Sequence, residues 1–197
     1  MGLLRAGRML AAAVACVPLL AAAAPTEHCL VPGTDAEFPA SVAGFVRVSA
    51  KDYESSAPGG GCSVRYQNSP AVWIDVYVYN PFHQRVGDAP RDEPLLQLFR
   101  ATAAGISQSW AKNGATVRDL HAAYEWRGAK HMEVMVATAS IETKDKNELS
   151  TYLQVWPAAG MVWKMRMTVD SKEYDDAKAR ILAVADALVD LSQGAQP

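Results

Sequence analysis

The soft ligands of this chain are concentrated in two stretches. Beyond residue 24 every methionine is Met132, Met135, Met161, Met165 or Met167. Thioethers favour Cu(I), and His131 adjoins Met132. A copper site would need Met161, Met165, Met167 and His131 to converge on one point. Packing competes with this reading. Methionine fills irregular cores, and Met161, Trp163, Met165 and Met167 share one side of a period-two pattern, which suits a strand face covered by a helix. The pattern favours packing.

Other reactive chemistry is sparse. The histidines are His28, His83, His121 and His131, none set three or four residues from a second ligand on a helix. Cys-x-x-Cys, His-Glu-x-x-His and the serine elbow Gly-x-Ser-x-Gly are absent. On a strand, His131 would stand beside Glu133, giving two ligands where a metal site needs three or four. Gly59-Gly60-Gly61-Cys62-Ser63 lacks the Lys and Ser/Thr of a phosphate loop and leads into a strand. Asp75, Glu133 and Glu142 could pair across a sheet, as carboxylates could in almost any domain. No catalytic residue, cofactor or metal is therefore assigned. A small hydrolase would require a pocket of converging polar groups that no motif announces.

One further set could act by binding. Val72, Ile74, Val76 and Val78 alternate with Trp73, Asp75, Tyr77 and Tyr79, the period of a half-buried strand. The valine side reads as core. Trp73, Tyr77 and Tyr79 become a binding surface for a partner, a peptide or a sugar if their side of the sheet is open.

The elements that would hold these residues follow from periodicity and punctuation. Strands are expected at 42–48, 62–67, 71–79, 116–126, 131–142, 149–156 and 161–169. A helix of about 20 residues follows Asp92, with Pro94 in its first turn and Asn113-Gly114 at its end. A second starts at Asp170, with Glu173 where a capping-box acid belongs, and carries the stripe Tyr174, Ala177, Ile181, Val184, Leu188 and Leu191. The expected fold is α+β, an antiparallel sheet of about six to seven strands with two long helices packed on it.

The N-terminus speaks to compartment. Arg5 and Arg8 precede the apolar run 9–24, which ends Ala21-Ala22-Ala23-Ala24. This is the pattern of a signal peptide over residues 1–23, cut after Ala23 or one residue earlier because Pro25 is a poor residue directly after the cut. Ala13-Val14-Ala15-Cys16 loosely resembles a lipobox; lipidation at Cys16 would make a membrane-anchored envelope protein. Cleavage leaves Cys29 and Cys62, an even pair expected to form a disulfide in an exported chain. An irregular arm over 24–40, a single domain over 41–192 and a tail over 193–197 complete the organisation. Of 19 basic residues Arg5 and Arg8 would be lost, leaving 17 against 21 acidic ones, a net charge of −4. There is no basic stripe of the kind nucleic-acid binders carry.

The order of strands, helix, strands and helix is similar to the α/β/α sandwich of the Mog1 and PsbP-like family. Besides element order, Cys62-Ser63-Val64-Arg65-Tyr66 and Val76-Tyr77-Val78-Tyr79 carry the likeness, which spans roughly residues 42–191. Residues 61–79 also resemble exported bacterial proteins in which a Gly-rich turn leads to a Ser-Val-Arg-Tyr strand and then a Tyr-rich one. The resemblance implies an accessory or binding role and no enzymology. The reading is a periplasmic or secreted binding domain whose partner is another envelope protein or a small ligand. Nucleic acid is not expected, and membrane contact only through Cys16.

Overall fold

The structure is a computed structural model and describes residues 28–69 and 72–194. The expected signal sequence, Cys16, the first residues of the expected arm and the last three of the expected tail lie outside the described residues. In chain order the elements are β1 (Ser41–Val42), β2 (Phe45–Asp52), β3 (Cys62–Ser69), β4 (Val72–Tyr79), α1 (Glu93–Lys112), β5 (Thr116–Arg127), β6 (Met132–Glu142), β7 (Glu148–Ala158), β8 (Met161–Asp170) and α2 (Ser171–Gly194).

The eight strands form one sheet in the order β1-β2-β3-β4-β8-β7-β6-β5, and every pairing is antiparallel. That is more strands than the six to seven expected. The single strand read over 42–48 is broken at Ala43-Gly44, both at positive φ (46° and 83°), and this two-residue turn makes a hairpin of β1 and β2. The strand expected from His131 starts instead at Met132. His131 has φ 51° and donates its backbone N–H to the Gly128 carbonyl, so it closes the β5–β6 turn. The C-terminal helix extends past residue 192 to Gly194, into the expected tail.

The two helices lie on opposite faces. Ala177, Ile181, Val184 and Leu188 of α2 pack with Val134, Val136, Trp156, Trp163, Met165 and Met167. Leu95, Phe99, Ala103 and Ile106 of α1 pack with Met135, Ala137, Leu153, Val155 and Val162. Neighbouring residues on β6, β7 and β8 thus go to opposite cores, as the pleat requires. Asp170 Oδ1 accepts from Lys172 N at 2.9 Å, the expected cap of α2. Asp92 holds the N-cap position of α1, but its side chain makes no capping hydrogen bond.

The arm is not merely irregular. Cys29, Val31 and Phe38 are buried in the α2-side core, and Phe38 packs on Trp163 with ring centroids 5.4 Å apart. Tyr66 donates its hydroxyl proton to the Pro39 carbonyl at 2.9 Å. Cys29 and Cys62 are joined as a disulfide, 33 residues apart in sequence. A loop of that size constrains the unfolded chain by about 3–4 kcal/mol. The Cys29→Ser, Cys62→Ser double variant is expected to lose stability by about that amount in urea denaturation. A loss under about 1 kcal/mol would mean the arm holds its place without the bond.

Candidate functional site

Arm and α2 together cover one face of the sheet. On the other face α1 lies mainly against β5, β6 and β7 and meets β8 and β4 at Val162 and at its Trp110 end, so among the described residues the half made by β2, β3, β4 and β8 is the less covered one. This is the face of Trp73, Asp75, Tyr77 and Tyr79, all half-buried.

Cross-strand register identifies what stands beside them. Tyr77 lies opposite Ser63 on β3 and Lys164 on β8, and Ser63 lies opposite Lys51 on β2. Asp75 lies opposite Arg65 and Arg166. Trp73 lies opposite Gln67 and Thr168. Residues directly opposite in an antiparallel ladder share a face. The open half therefore presents two adjacent rows, Lys51–Ser63–Tyr77–Lys164 and Arg65–Asp75–Arg166, about 7 Å apart along the strands.

The rings hold the cations. The Lys164 ammonium sits 4.0 Å from the centre of the Tyr77 ring and 5.3 Å from that of Tyr79. Arg65 lies over Trp73 at 5.8 Å and Lys51 over Tyr53 at 4.9 Å. Cation–ring attraction fixes these groups at modest cost in solvation. It also means that the face of Tyr77 is occupied and unavailable to stack on a sugar or a base. Of the expected binding surface, Trp73 and Tyr77 belong to the open half. Tyr79 packs at its border against the α1-side core, and burial raises its hydroxyl pKa to about 12.

Charge on this face is unbalanced. Arg65 donates twice to Asp75, at 2.6 and 3.0 Å, which raises the guanidinium pKa. Asp170, at the far end of β8, is committed to the α2 cap. Among the described residues neither Lys164 nor Arg166 has an ion-pair partner. Burial and then the neighbouring Arg166 lower the Lys164 pKa, against a smaller opposing pull from Asp75. An uncompensated pair of cations is thus held on a sheet face of a chain that is acidic as a whole.

A second concavity, about 800 Å³, lies at one end of the sheet and includes His28, Asp52, Glu54, Gly59, Gly61 and His83 in its walls. Several of its polar groups are engaged. Glu54 accepts from Gly59 N and Gly61 N, both at 2.9 Å. These bonds, Gly59 first, hold its pKa below the ordinary carboxylate value, the opposite of what a general acid needs. His28 Nδ1 is hydrogen-bonded to Glu37 at 2.5 Å. No serine, threonine or free thiol lines the cavity. The glycine turn serves packing: Gly61 has φ +59°, and a Cβ there would lie 1.9 Å from the Val78 carbonyl oxygen.

The methionines do not converge. Met165 and Met167 are fully buried beneath α2, with Met161 partly buried at the edge of the same core. Met161 and Met167 are six residues apart on one strand, about 20 Å, too far to share an ion. His131 is exposed in the β5–β6 turn, with three strands of the sheet, β6, β7 and β8, beyond it. Among the described residues no three His, Cys, Asp or Glu side chains cluster as a metal site would require.

Aromatic residues on alternate positions of β4 were legible in the sequence. The cations were not, because three other strands supply them, and β8 reaches β4 from about 90 residues away.

Comparison with known proteins gives a likeness of fold. No family model matches the chain, and no curated protein matches it. Among solved structures, cyanobacterial PsbP from Synechocystis sp. PCC 6803 is similar, at 14% identity and a TM-score of 0.46, covering 76% of this chain and 81% of that one.

Proposed function

We propose that this chain is a binding domain, active in the periplasm or outside the cell, whose open sheet face holds an acidic, extended segment of a partner protein. One observation carries the reading. Four cations, Lys51, Arg65, Lys164 and Arg166, stand on the open face with, among the described residues, only Asp75 and Asp170, and both carboxylates are already hydrogen-bonded. An anionic partner supplies the missing charge.

Shape narrows the partner. The body of α1, about 10–12 Å across with its side chains, stands above the sheet beside the patch. A flat lipid surface or a duplex meets α1 before it meets Lys164. A single extended chain fits beside the helix, and its alternate side chains recur about every 7 Å, the spacing of the two cationic rows. Rings already covered by Lys164 and Arg65 are poor platforms for bases or sugars. The export half of the proposal rests on the basic-apolar-small pattern of residues 1–24 and on the Cys29–Cys62 bond.

Fluorescence anisotropy tests the reading, with a labelled peptide alternating Glu and Thr as probe. Binding is expected, weakening about tenfold or more as salt rises from about 0.05 to about 0.5 M. A matched peptide alternating Lys and Thr should not bind. Tighter binding to a single-stranded oligonucleotide or to anionic vesicles than to the acidic peptide would overturn the choice of partner. Binding to none of them would overturn the use of this face.

A further inference from the structure

A smaller concavity adjoins the patch where the last turns of α1 meet β4 and β8. It measures about 380 Å³, and Trp73, Asp75, Trp110, Leu149, Arg166 and Thr168 are among its walls. That volume suits one amino-acid-sized group and is at the low end for a whole small-molecule ligand.

Its hydrogen-bonding inventory is lopsided. The Trp110 indole N–H is buried and has no acceptor. Buried donors are rarely left so, since each lost partner costs about 1–3 kcal/mol. Arg166 has donors to spare and no ion pair among the described residues. Most of the acceptor capacity nearby is engaged. Both Asp75 oxygens take Arg65, Asp170, also in the wall, takes Lys172 N with Oδ1, and Thr168 Oγ1 donates to Thr151 Oγ1 at 3.1 Å, because Thr151 gives its own proton to the Met167 carbonyl. Trp73, Leu149 and Val169 give the site apolar walls. Unfilled donors, mostly engaged acceptors and an apolar lining together describe a receptor for a carboxylate on a short hydrocarbon stem.

We infer that this notch is a carboxylate subsite, in which Arg166 and the Trp110 N–H donate to one carboxylate of the bound partner while its methylenes lie between the two tryptophans. The inference rests on the acidic-partner reading and says where one of that partner's carboxylates is seated. The carboxylate is either a glutamate side chain or a free chain end, and the two sources share this chemistry.

The test follows indole N–H resonances by NMR during titration with glutarate, with Trp110→Phe to identify the Trp110 signal. The Trp110 signal should move, and Arg166→Gln should weaken glutarate at least about tenfold, the loss of one charge-assisted contact. Unchanged signals elsewhere show that each variant is folded. Two peptides then separate the sources. If Gly-Gly-Phe moves the signal and its C-terminal amide does not, the chain end is the natural group; if a Glu peptide with blocked ends moves it, the side chain is. A Trp110 signal unmoved by glutarate, while the Glu-Thr peptide still binds, overturns the subsite and leaves the face reading standing. Loss of both overturns both. A signal moved by butylammonium and not by glutarate also overturns it, since Asp75 and Asp170 would then set the sign of the site.

Discussion

Replacing Trp163 with alanine is expected to lower the unfolding free energy by about 3–5 kcal/mol, among the largest effects a single core substitution produces. Trp163 is fully buried and sits where three parts of the chain meet. Its ring stacks on Trp156 of β7, with centroids 5.7 Å apart and planes 29° apart, and packs on Phe38 of the arm. The arm and the α2-side core are therefore cut loose together. The effect should be of shape and not of polarity, because the Trp163 indole N–H has no hydrogen-bond partner. Trp163→Phe keeps most of the packing and removes only that idle donor, so it should cost no more than about 2 kcal/mol. Trp156→Phe removes a used donor, the indole N–H given to Ser192 Oγ at 3.0 Å, and should cost about 1 kcal/mol more than Trp163→Phe. Urea midpoints with unchanged slopes check the ranking. If Trp163→Ala loses under about 1 kcal/mol, the arm does not depend on this core.

What could be read in the sequence and what could not divide along a physical line. The pleat is local, so the alternation from Val72 to Tyr79 displayed both faces of β4 before any partner strand was known. The helices are local too, with apolar positions and end signals lying within one segment. Turns built on residues other than glycine left little trace. Ala43 and His131 adopt positive φ, which side chains ordinarily avoid, and so β1 was missed and β6 was started one residue early. Phe38 carries no periodicity among its neighbouring prolines, and its burial depends on tertiary ties of the arm such as the Cys29–Cys62 bond and the Tyr66–Pro39 hydrogen bond. The candidate site was half legible for the same reason. Trp73 and Tyr77 announced a surface, but its sign depends on Lys164 falling opposite Tyr77 and Arg166 opposite Asp75. That placement is a property of the β4–β8 register, which no local pattern encodes. The aromatic patch, read as a surface for a partner, a peptide or a sugar, carries Arg65 and Lys164 on its rings in the folded chain.

The largest expected effect on binding is therefore one of charge. The Lys164→Glu, Arg166→Glu double variant turns the two unpaired cations of the face into two anions. It should weaken the Glu-Thr peptide by about 100-fold or more, since each close like-charge contact costs on the order of 1 kcal/mol or more and attraction is lost as well. Lys164→Met separates charge from folding. A half-buried ammonium without a partner is a burden on the free protein, as its lowered pKa records. A thioether of similar length removes that burden. Lys164→Met should thus fold at least as stably as the native chain while binding the acidic peptide about five- to tenfold more weakly. The pH dependence has a fixed sign. Lys164 has a folded pKa below its ordinary 10.5, so between those two values the unfolded chain holds more protons and its contribution to stability rises with pH. Binding runs the other way. A carboxylate beside Lys164 favours the ammonium and raises its pKa, so association takes up a proton and the affinity falls as pH climbs through the depressed value. Anisotropy of the native chain, and its thermal stability taken relative to Lys164→Met so that the raised tyrosine pKa values common to both cancel, should show opposite slopes across the alkaline range, and the binding slope should flatten in Lys164→Met. Parallel slopes, or double-variant binding as tight as native, would place the acidic partner somewhere other than this face.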